Sequence, residues 1–388
     1  MYNRAQIFIA ACLGMLMFGM ALITLGSVQP SLREKFSLDD AGSGTLFSIM
    51  PLGILVGSLV FGPACDKYGY KIVLTIAGLL FCAGIEGIAF ADNIPLLKLC
   101  IFSFGLGGGA INGATNAVVS DISETEKGAN LSLLGIFFGL GSLGMPLLIG
   151  SLKGRVEFGV ILGIVGAFTF VVTLFFLLLK FPAPKQKQGF PLKQSLSIIS
   201  DKVLLLIAFF LFFQSSLEAI INNWTPLYLV DQLKMNTGDA ILALTMYVAG
   251  LTGMRILLGS VFRKMDGIKI MFVSLFSILA GLILLKLSNS SASAVYGLIL
   301  LGVGLSAGFP IMLGFVGSRF KELPGTAFSI ALVVALLGNI LVNYIAGLVA
   351  GRFGTNSIMW LAFIELAGMF ILCIFISRSK ISSATSNI

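Results

Sequence analysis

Histidine is absent from the 388 residues. That removes the side chain most used to move protons or bind metals near neutral pH, so any proton-linked step must use a carboxylate. Charge is scarce too. Asp, Glu, Lys and Arg make up 11% of the chain, against about a quarter in soluble globular proteins, so the polar surface needed to face water all round is missing. The five cysteines, Cys12, Cys65, Cys82, Cys100 and Cys373, are odd in number and lie in or beside apolar runs without metal-ligand spacing. A disulfide framework and a zinc site are therefore not expected. No nucleophile–base pair, metal cluster or phosphate-binding loop is found, so enzymatic chemistry has little to work with, and neither a cofactor nor a metal is expected. The ~10-residue alternating strands of a membrane barrel are missing as well.

What is present is 57% apolar residues, gathered into runs. A spanning helix needs about 20 mostly apolar residues, and runs of that length fall at 6–27, 41–64, 71–91, 96–119, 130–152, 159–180, 203–230, 239–261, 269–288, 293–316, 326–350 and 357–378. Backbone groups in hydrocarbon must be satisfied within the segment, so these runs predict helices: an all-α membrane protein with twelve spans. The first run is longer than the 7–15 apolar residues of a cleavable signal and is read as a retained helix.

The net charge of +8 would suggest a nucleic-acid partner in a soluble protein. Here Lys and Arg form no stripe with interleaved aromatics; they sit in short gaps between runs, so no nucleic acid is expected. Gaps on one side of the membrane, holding Arg4, Lys67, Lys71, Lys127, Lys180 and the lysines of 185–202, carry roughly twice the basic residues of the other side, which places both termini in the cytoplasm. The one substantial connector, 181–202, is rich in Pro and Lys. It divides the chain into a six-helix half at 1–180 and another at 203–378, followed by a cytoplasmic tail at 379–388; a short interfacial helix is expected at 192–200.

The halves repeat each other. Pro30 and Pro226 match at an offset of 196, Gly62 and Gly259 at 197, Lys71 and Lys269 at 198, and Gly105 and Gly304 at 199; Gly128/Gly325, Gly141/Gly338 and Gly150/Gly347 all match at 197. Internal repeats of this kind mark secondary transporters, whose solute site lies near the midplane between repeats.

Between the second and third runs stands GPACDKYGYKIVL (62–74). It resembles the gating loop of the major facilitator superfamily, with Gly62, Asp66, Gly69 and Lys71 at that loop's Gly, Asp, Gly and basic positions. The glycines suit a tight turn and close helix approach, and Asp66 suits the positive end of a neighbouring helix. The second half carries GSVFRKMDGIK (259–269), with Arg263 where the acid stood and Arg255 four residues before Gly259. Within the superfamily, GLGGGAINGATNAVVSD (105–121), GANLSLLGIFFGLGSLGMPLLIG (128–150) and QSSLEAIINNWTPLYL (214–229) resemble the fourth, fifth and seventh helices of the fucose–galactose–proton symporter type. The resemblance implies alternating-access symport of a small polar solute, a sugar, coupled to a proton or sodium ion, by a monomer in the inner membrane with lipid around it. A departure is the first run, whose stretch 18–30 has no acid, unlike some sugar symporters of the group. The alternative in the same superfamily is a drug or metabolite exporter. Against it, Ile101 stands four residues before Gly105, where drug exporters place an arginine.

Polar side chains at spanning depth usually face a cavity or a partner helix. Three pairs share i, i+4 spacing: Asn112/Asn116, Gln214/Glu218 and Asn339/Asn343, with Asn222 one turn beyond the second. Amides donate and accept, which suits a polyhydroxyl ligand; they also suit hydrogen bonds between helices. Trp224 and Tyr228 fit either a sugar ring or the outer aromatic belt. Of three acids in spans, Glu86 and Glu365 fall on runs that are peripheral in the resembled fold and are read as packing or interfacial groups. Glu218, in a cavity-lining run of that fold, is read as the ion-coupling acid, a solute ligand or one arm of a static ion pair.

Overall fold

The computed structural model describes residues 2–123, 127–183, 201–262, 265–320 and 324–378. Among them no strand occurs, and the helices are α1 (Arg4–Phe36), α2 (Asp40–Phe90), α3 (Ile94–Ile122), α4 (Lys127–Leu152), α5 (Phe158–Leu178), α6 (Lys202–Leu233), α7 (Thr237–Ser260), α8 (Gly267–Lys286), α9 (Ser291–Leu305), α10 (Gly308–Arg319), α11 (Pro324–Phe353) and α12 (Ile358–Arg378). Among the described residues eleven stretches are long and apolar enough to cross a bilayer. Exposed Ile164, Val171 and Leu178 on α5 are side chains that lipid accepts and water does not. The expected interfacial helix at 192–200, the tail and Arg263 lie outside the described residues.

The count differs from twelve runs for a physical reason. The runs at 41–64 and 71–91 are joined in α2, whose 51 residues would extend about 76 Å if straight, against a hydrocarbon core of about 30 Å. The chain turns at Gly69, which has φ 82° and ψ 162° inside α2. The run at 293–316 is broken instead, into α9 and α10. Pro310 has no N–H and its ring crowds the carbonyl of residue 306, so the helix stops at Leu305 and restarts at Gly308.

The chain divides into two compact units, Met1–Phe190 and Pro191–Ile388. In the first, α1 is buried on almost every side from Met15 to Leu32 among α3, α4 and α5. In the second, α6 holds the corresponding place among α7, α11 and α12. Helix contacts in both are set by glycines lying on the backbone of a neighbour. A Cβ on Gly105 would come within 2.2 Å of the Met50 carbonyl oxygen, and one on Gly302 within 2.0 Å of that of Tyr247. A Cβ on Gly107 would meet the Ala77 oxygen at 2.5 Å, and one on Gly304 the Ser274 oxygen at 2.7 Å. In each pair both residues are displaced by 197. Gly304 therefore corresponds to Gly107, not to Gly105 as the sequence alignment had it. The same pair of positions is also hydrogen-bonded in both units, with donor and acceptor exchanged: Ser103 Oγ donates to the Leu80 carbonyl at 3.1 Å, and Ser277 Oγ to that of Leu300 at 2.9 Å.

Asp201 caps α6, its Oδ1 accepting from the N–H groups of Val203 (2.9 Å) and Leu204 (3.0 Å). Its other oxygen takes Arg319 Nη2 at 2.8 Å, tying the start of α6 to the end of α10. Burial opposes the charge on Asp201, but Arg319 and the two backbone N–H groups outweigh it and hold the carboxyl below its ordinary range.

Two predictions follow from this packing. Gly141 has the Leu16 carbonyl oxygen 2.0 Å from the position of a Cβ, whereas Gly62 has nothing within 4 Å. Gly141→Val should lower the melting temperature in detergent by an amount equivalent to about 1–3 kcal/mol, and Gly62→Ala should leave it within about 0.5 kcal/mol. Because the folded pKa of Asp201 is depressed, its stabilisation is present above the unfolded pKa and is lost as pH falls through the folded one. Asp201→Ala should thus cost about 0.5–2 kcal/mol at neutral pH and less in acid buffer. A melting-temperature drop equal at both pH values would contradict the charge dependence.

Candidate functional site

The polar face of α6 begins at Gln214, which is fully buried. Its Nε2 donates to Glu218 Oε1 at 2.9 Å, one turn along, and to the Leu305 carbonyl at 3.0 Å, the last residue before the break between α9 and α10. Gly308, just past the break, leaves room for this amide: a Cβ there would lie 1.6 Å from Gln214 Oε1. Glu218 is half-buried. From α7, Arg255 acts on it electrostatically, and Tyr247 lies within reach of both charges. The Tyr247 side chain is fully buried, and among the described residues neither its hydroxyl nor Gln214 Oε1 has a hydrogen-bond partner. A carboxylate, a guanidinium, a phenol and an amide on α6 and α7 give one region both donors and acceptors at spanning depth. That arrangement suits a polar solute and a proton carrier.

The remaining amides of this unit are used between helices. Asn343, fully buried on α11, donates to the Asn339 carbonyl at 2.9 Å and to Asn339 Oδ1 at 3.0 Å, and its Oδ1 accepts from Asn223 Nδ2 on α6 at 3.1 Å. Asn339 reaches the Ser215 carbonyl at 3.4 Å. The structure thus ties Asn339 and Asn343 to α6 through Asn223 rather than through Asn222, which is half-buried on another side of that helix. Trp224 is fully buried and Tyr228 is 3% exposed. This corrects the outer-belt reading of both, because belt residues keep their polar ends in the headgroups.

In the first unit Asn112 and Asn116 share a half-buried face of α3. Asn116 Nδ2 donates to Asn112 Oδ1 at 3.1 Å and meets Met15 Sδ of α1 at 3.7 Å. Of the loop residues, Gly69 forms the turn, while Lys71 is exposed. Among the described residues nothing lies within 4 Å of where a Gly62 Cβ would stand. Asp66 lies half-buried within α2. Asp121 at the end of α3 also holds this loop, its Oδ2 accepting from Tyr70 Oη at 2.6 Å. Glu86 packs its carboxyl onto α5, with Oε1 2.0 Å from where a Gly166 Cβ would sit. Glu365 Oε2 is buried on α12 without a hydrogen-bond partner among the described residues.

The sequence profile of the Major Facilitator Superfamily matches residues 7–342. The chain belongs to the Major Facilitator Superfamily. It is a multi-pass membrane protein of a family of transporters, not enzymes, that bind small-molecule solutes. It is 27% identical over 357 residues to the inner membrane transport protein YdiN of Escherichia coli, covering 84% of this chain and 82% of that one. It is 24% identical over 343 residues to the glucose/mannose transporter GlcP of Bacillus subtilis, covering 85% and 84%. The solved structure of a D-xylose–proton symporter superposes with a TM-score of 0.79 at 15% identity, over 96% of this chain and 97% of that one, which establishes the fold.

In this major facilitator chain, sequence reasoning missed three contributors: Tyr247, Asn223 and Asp121. Tyr247 stands eight residues before Arg255, two turns away on the same face of α7, and a cation inside an apolar run could have drawn attention to that face. Asn223 and Asp121 gave no periodic signal. For the amide links, Asn343→Ala should lower stability by about 1–3 kcal/mol, because it strands Asn223 Nδ2 and Asn339 Oδ1 in a buried setting. Asn222→Ala should cost less than half of that. Detergent melting curves of the two variants make the comparison, and equal losses would refute the assignment.

Proposed function

We propose that the chain is a secondary active transporter that carries a small polar solute, a monosaccharide, by alternating access and in symport with a proton. It crosses the inner membrane twelve times as a monomer, in two six-helix halves of one ancestry at 1–180 and 203–378, with both termini and the linker 181–202 in the cytoplasm. Counting α2 as two crossings on either side of Gly69, and α9 with α10 as one, takes the eleven apolar stretches to twelve. Helix contacts recurring at an offset of 197 support the duplication.

The observation that carries the functional reading is Glu218: a half-buried carboxyl in a spanning helix, held by Gln214 and acted on by Arg255. A carboxyl in that setting can change its protonation as solute binds or leaves, and an ionisable group at such depth is costly unless it is used. Glu218 is the coupling acid. In the second unit Gln214, Asn222, Trp224, Asn339 and Asn343 supply or support the solute-binding surface, with Tyr247 near Glu218; in the first unit Asn112 and Asn116 have that role. Gly62, Asp66, Gly69 and Lys71 form the loop that stabilises one conformation of the inner gate. Kinship with a glucose/mannose transporter favours a hexose.

The test uses the purified full chain in proteoliposomes with radiolabelled D-glucose and an imposed proton gradient, acid outside. Wild type should accumulate the sugar against its gradient, and collapsing the gradient should abolish accumulation. Glu218→Gln should lose at least about tenfold in gradient-driven accumulation while still exchanging glucose across the bilayer. Unchanged accumulation and pH dependence in Glu218→Gln would sink the coupling role. Export of preloaded solute in exchange for entering protons would favour the exporter.

A further inference from the structure

The two units differ at one corresponding position. Phe18 on α1 matches Gln214 on α6 at the offset of 196 that also relates Pro30 to Pro226. Phe18 packs on Gly108 of α3, with its ring edge 3.6 Å from where a Cβ of Gly108 would stand. Gly108 matches Leu305 at 197, so each side chain touches the equivalent place on the equivalent helix. In the first unit that contact is apolar and α3 runs unbroken from Ile94 to Ile122. In the second it is an amide, and the helix is broken immediately after Leu305. Gly113 stands where the second unit has Pro310. Pro310 takes away the N–H that would reach the Ser306 carbonyl, and at the same break the Leu305 carbonyl accepts from Gln214.

The same nitrogen serves Glu218. An amide Nε2 carries two hydrogens, and here one points to the Leu305 carbonyl and the other to Glu218 Oε1. Both neighbours are acceptors, which fixes the amide with nitrogen inward and leaves Oε1 against Gly308 without a hydrogen-bond partner among the described residues.

We propose that Gln214 is a positioning residue that makes the joint between α9 and α10 depend on the charge state of Glu218. The proposal rests on reading Glu218 as the proton-binding acid. With the carboxyl ionised, both N–H groups are used and the Leu305 carbonyl is held. When a proton binds Glu218 Oε1, that oxygen becomes an O–H donor facing an N–H donor. The amide then turns about its terminal bond, Oε1 accepts from the new O–H, and the Leu305 carbonyl faces an oxygen instead of an N–H. The joint loses its tie, and α10 is released relative to α9. Other charged or titratable groups on the helices packed against α6 are Arg255, Tyr247 and Asp239 on α7; Tyr296 on α9; Arg319 on α10; Tyr344 and Arg352 on α11; and Glu365, Cys373 and Arg378 on α12. Of these, Arg255 and Tyr247 act on Glu218. Asp239 lies in a first turn and the arginines other than Arg255 in last turns. Tyr296 and Tyr344 are exposed.

Hydrogen exchange tests this without any solute. The full chain in lipid nanodiscs is labelled at about pH 5.5 and about pH 8.5, and rates are corrected for intrinsic exchange. Peptides covering 301–312 should exchange at least about threefold faster in acid, while peptides covering 101–116 of α3 should show no such difference. Gln214→Met, similar in size but without the amide, should exchange fast at both pH values, and Glu218→Gln should abolish the pH difference. Gly308→Ala keeps Gln214 but places a methyl 1.6 Å from its oxygen; it should reproduce the Gln214→Met result and serves if that variant does not fold. The double variant should be no worse than either single one. A wild-type joint indifferent to pH, or a pH difference that survives in Gln214→Met or Gly308→Ala, overturns the proposal. If the difference is present and depends on Gln214 while no sugar is transported, the joint stands and the sugar reading falls. If sugar is transported with no difference, the reverse holds.

Discussion

Hydrocarbon offers a backbone N–H or C=O no partner, and every element of this chain follows from that constraint. It forces the apolar runs into helices and makes each helix end or break a place that needs an explicit donor or acceptor. It also removes the usual hydrophobic drive for helix association, so helices meet through close contact of small residues. Gly105 on the Met50 carbonyl and Gly302 on that of Tyr247 are that contact made twice in one chain. Where the ladder is interrupted, after Leu305, a side chain from another helix donates to the Leu305 carbonyl.

The same constraint sorts the polar side chains. Asn339 and Asn343 satisfy each other and α6, while Glu86 sits over Gly166; these are interhelical fittings. The group around Glu218 is different. It combines a carboxyl, a guanidinium acting on it from α7 and a buried phenol whose hydroxyl finds no partner among the described residues. Packing alone would be served as well by apolar side chains, so this region is where solute and proton chemistry is proposed.

The contacts that recur between the two units belong to the frame and not to the proposed site. Contacts between glycines and backbone recur at 197, but Gln214 corresponds to Phe18, Asn339 to Ser142 and Pro310 to Gly113. Ser142 still donates to the Gly19 carbonyl at 3.0 Å, as Asn339 does to that of Ser215. The longer side chain keeps the ancestral link and has an acceptor to spare for Asn343. In the proposed reading, the site arose on one copy of a shared scaffold by replacing side chains at positions whose backbone partners stayed the same.

By itself the sequence determined the helices, their approximate ends, the repeat and the superfamily, because length, hydropathy and glycine spacing are local properties written along the chain. It also marked Gln214/Glu218 and the two Asn pairs, since i, i+4 spacing puts each pair on one face. Only the tertiary structure decided what each face meets. It set Gly62 with no described atom within 4 Å of a Cβ, joined Asp121 to the loop through Tyr70, and placed Trp224 inside the protein, which decides against the belt alternative. It joined two runs across Gly69 and broke another at Leu305. The reason is the same in each case: a side chain's role depends on the atom opposite it, and that atom belongs to another helix, tens or hundreds of residues away in the chain.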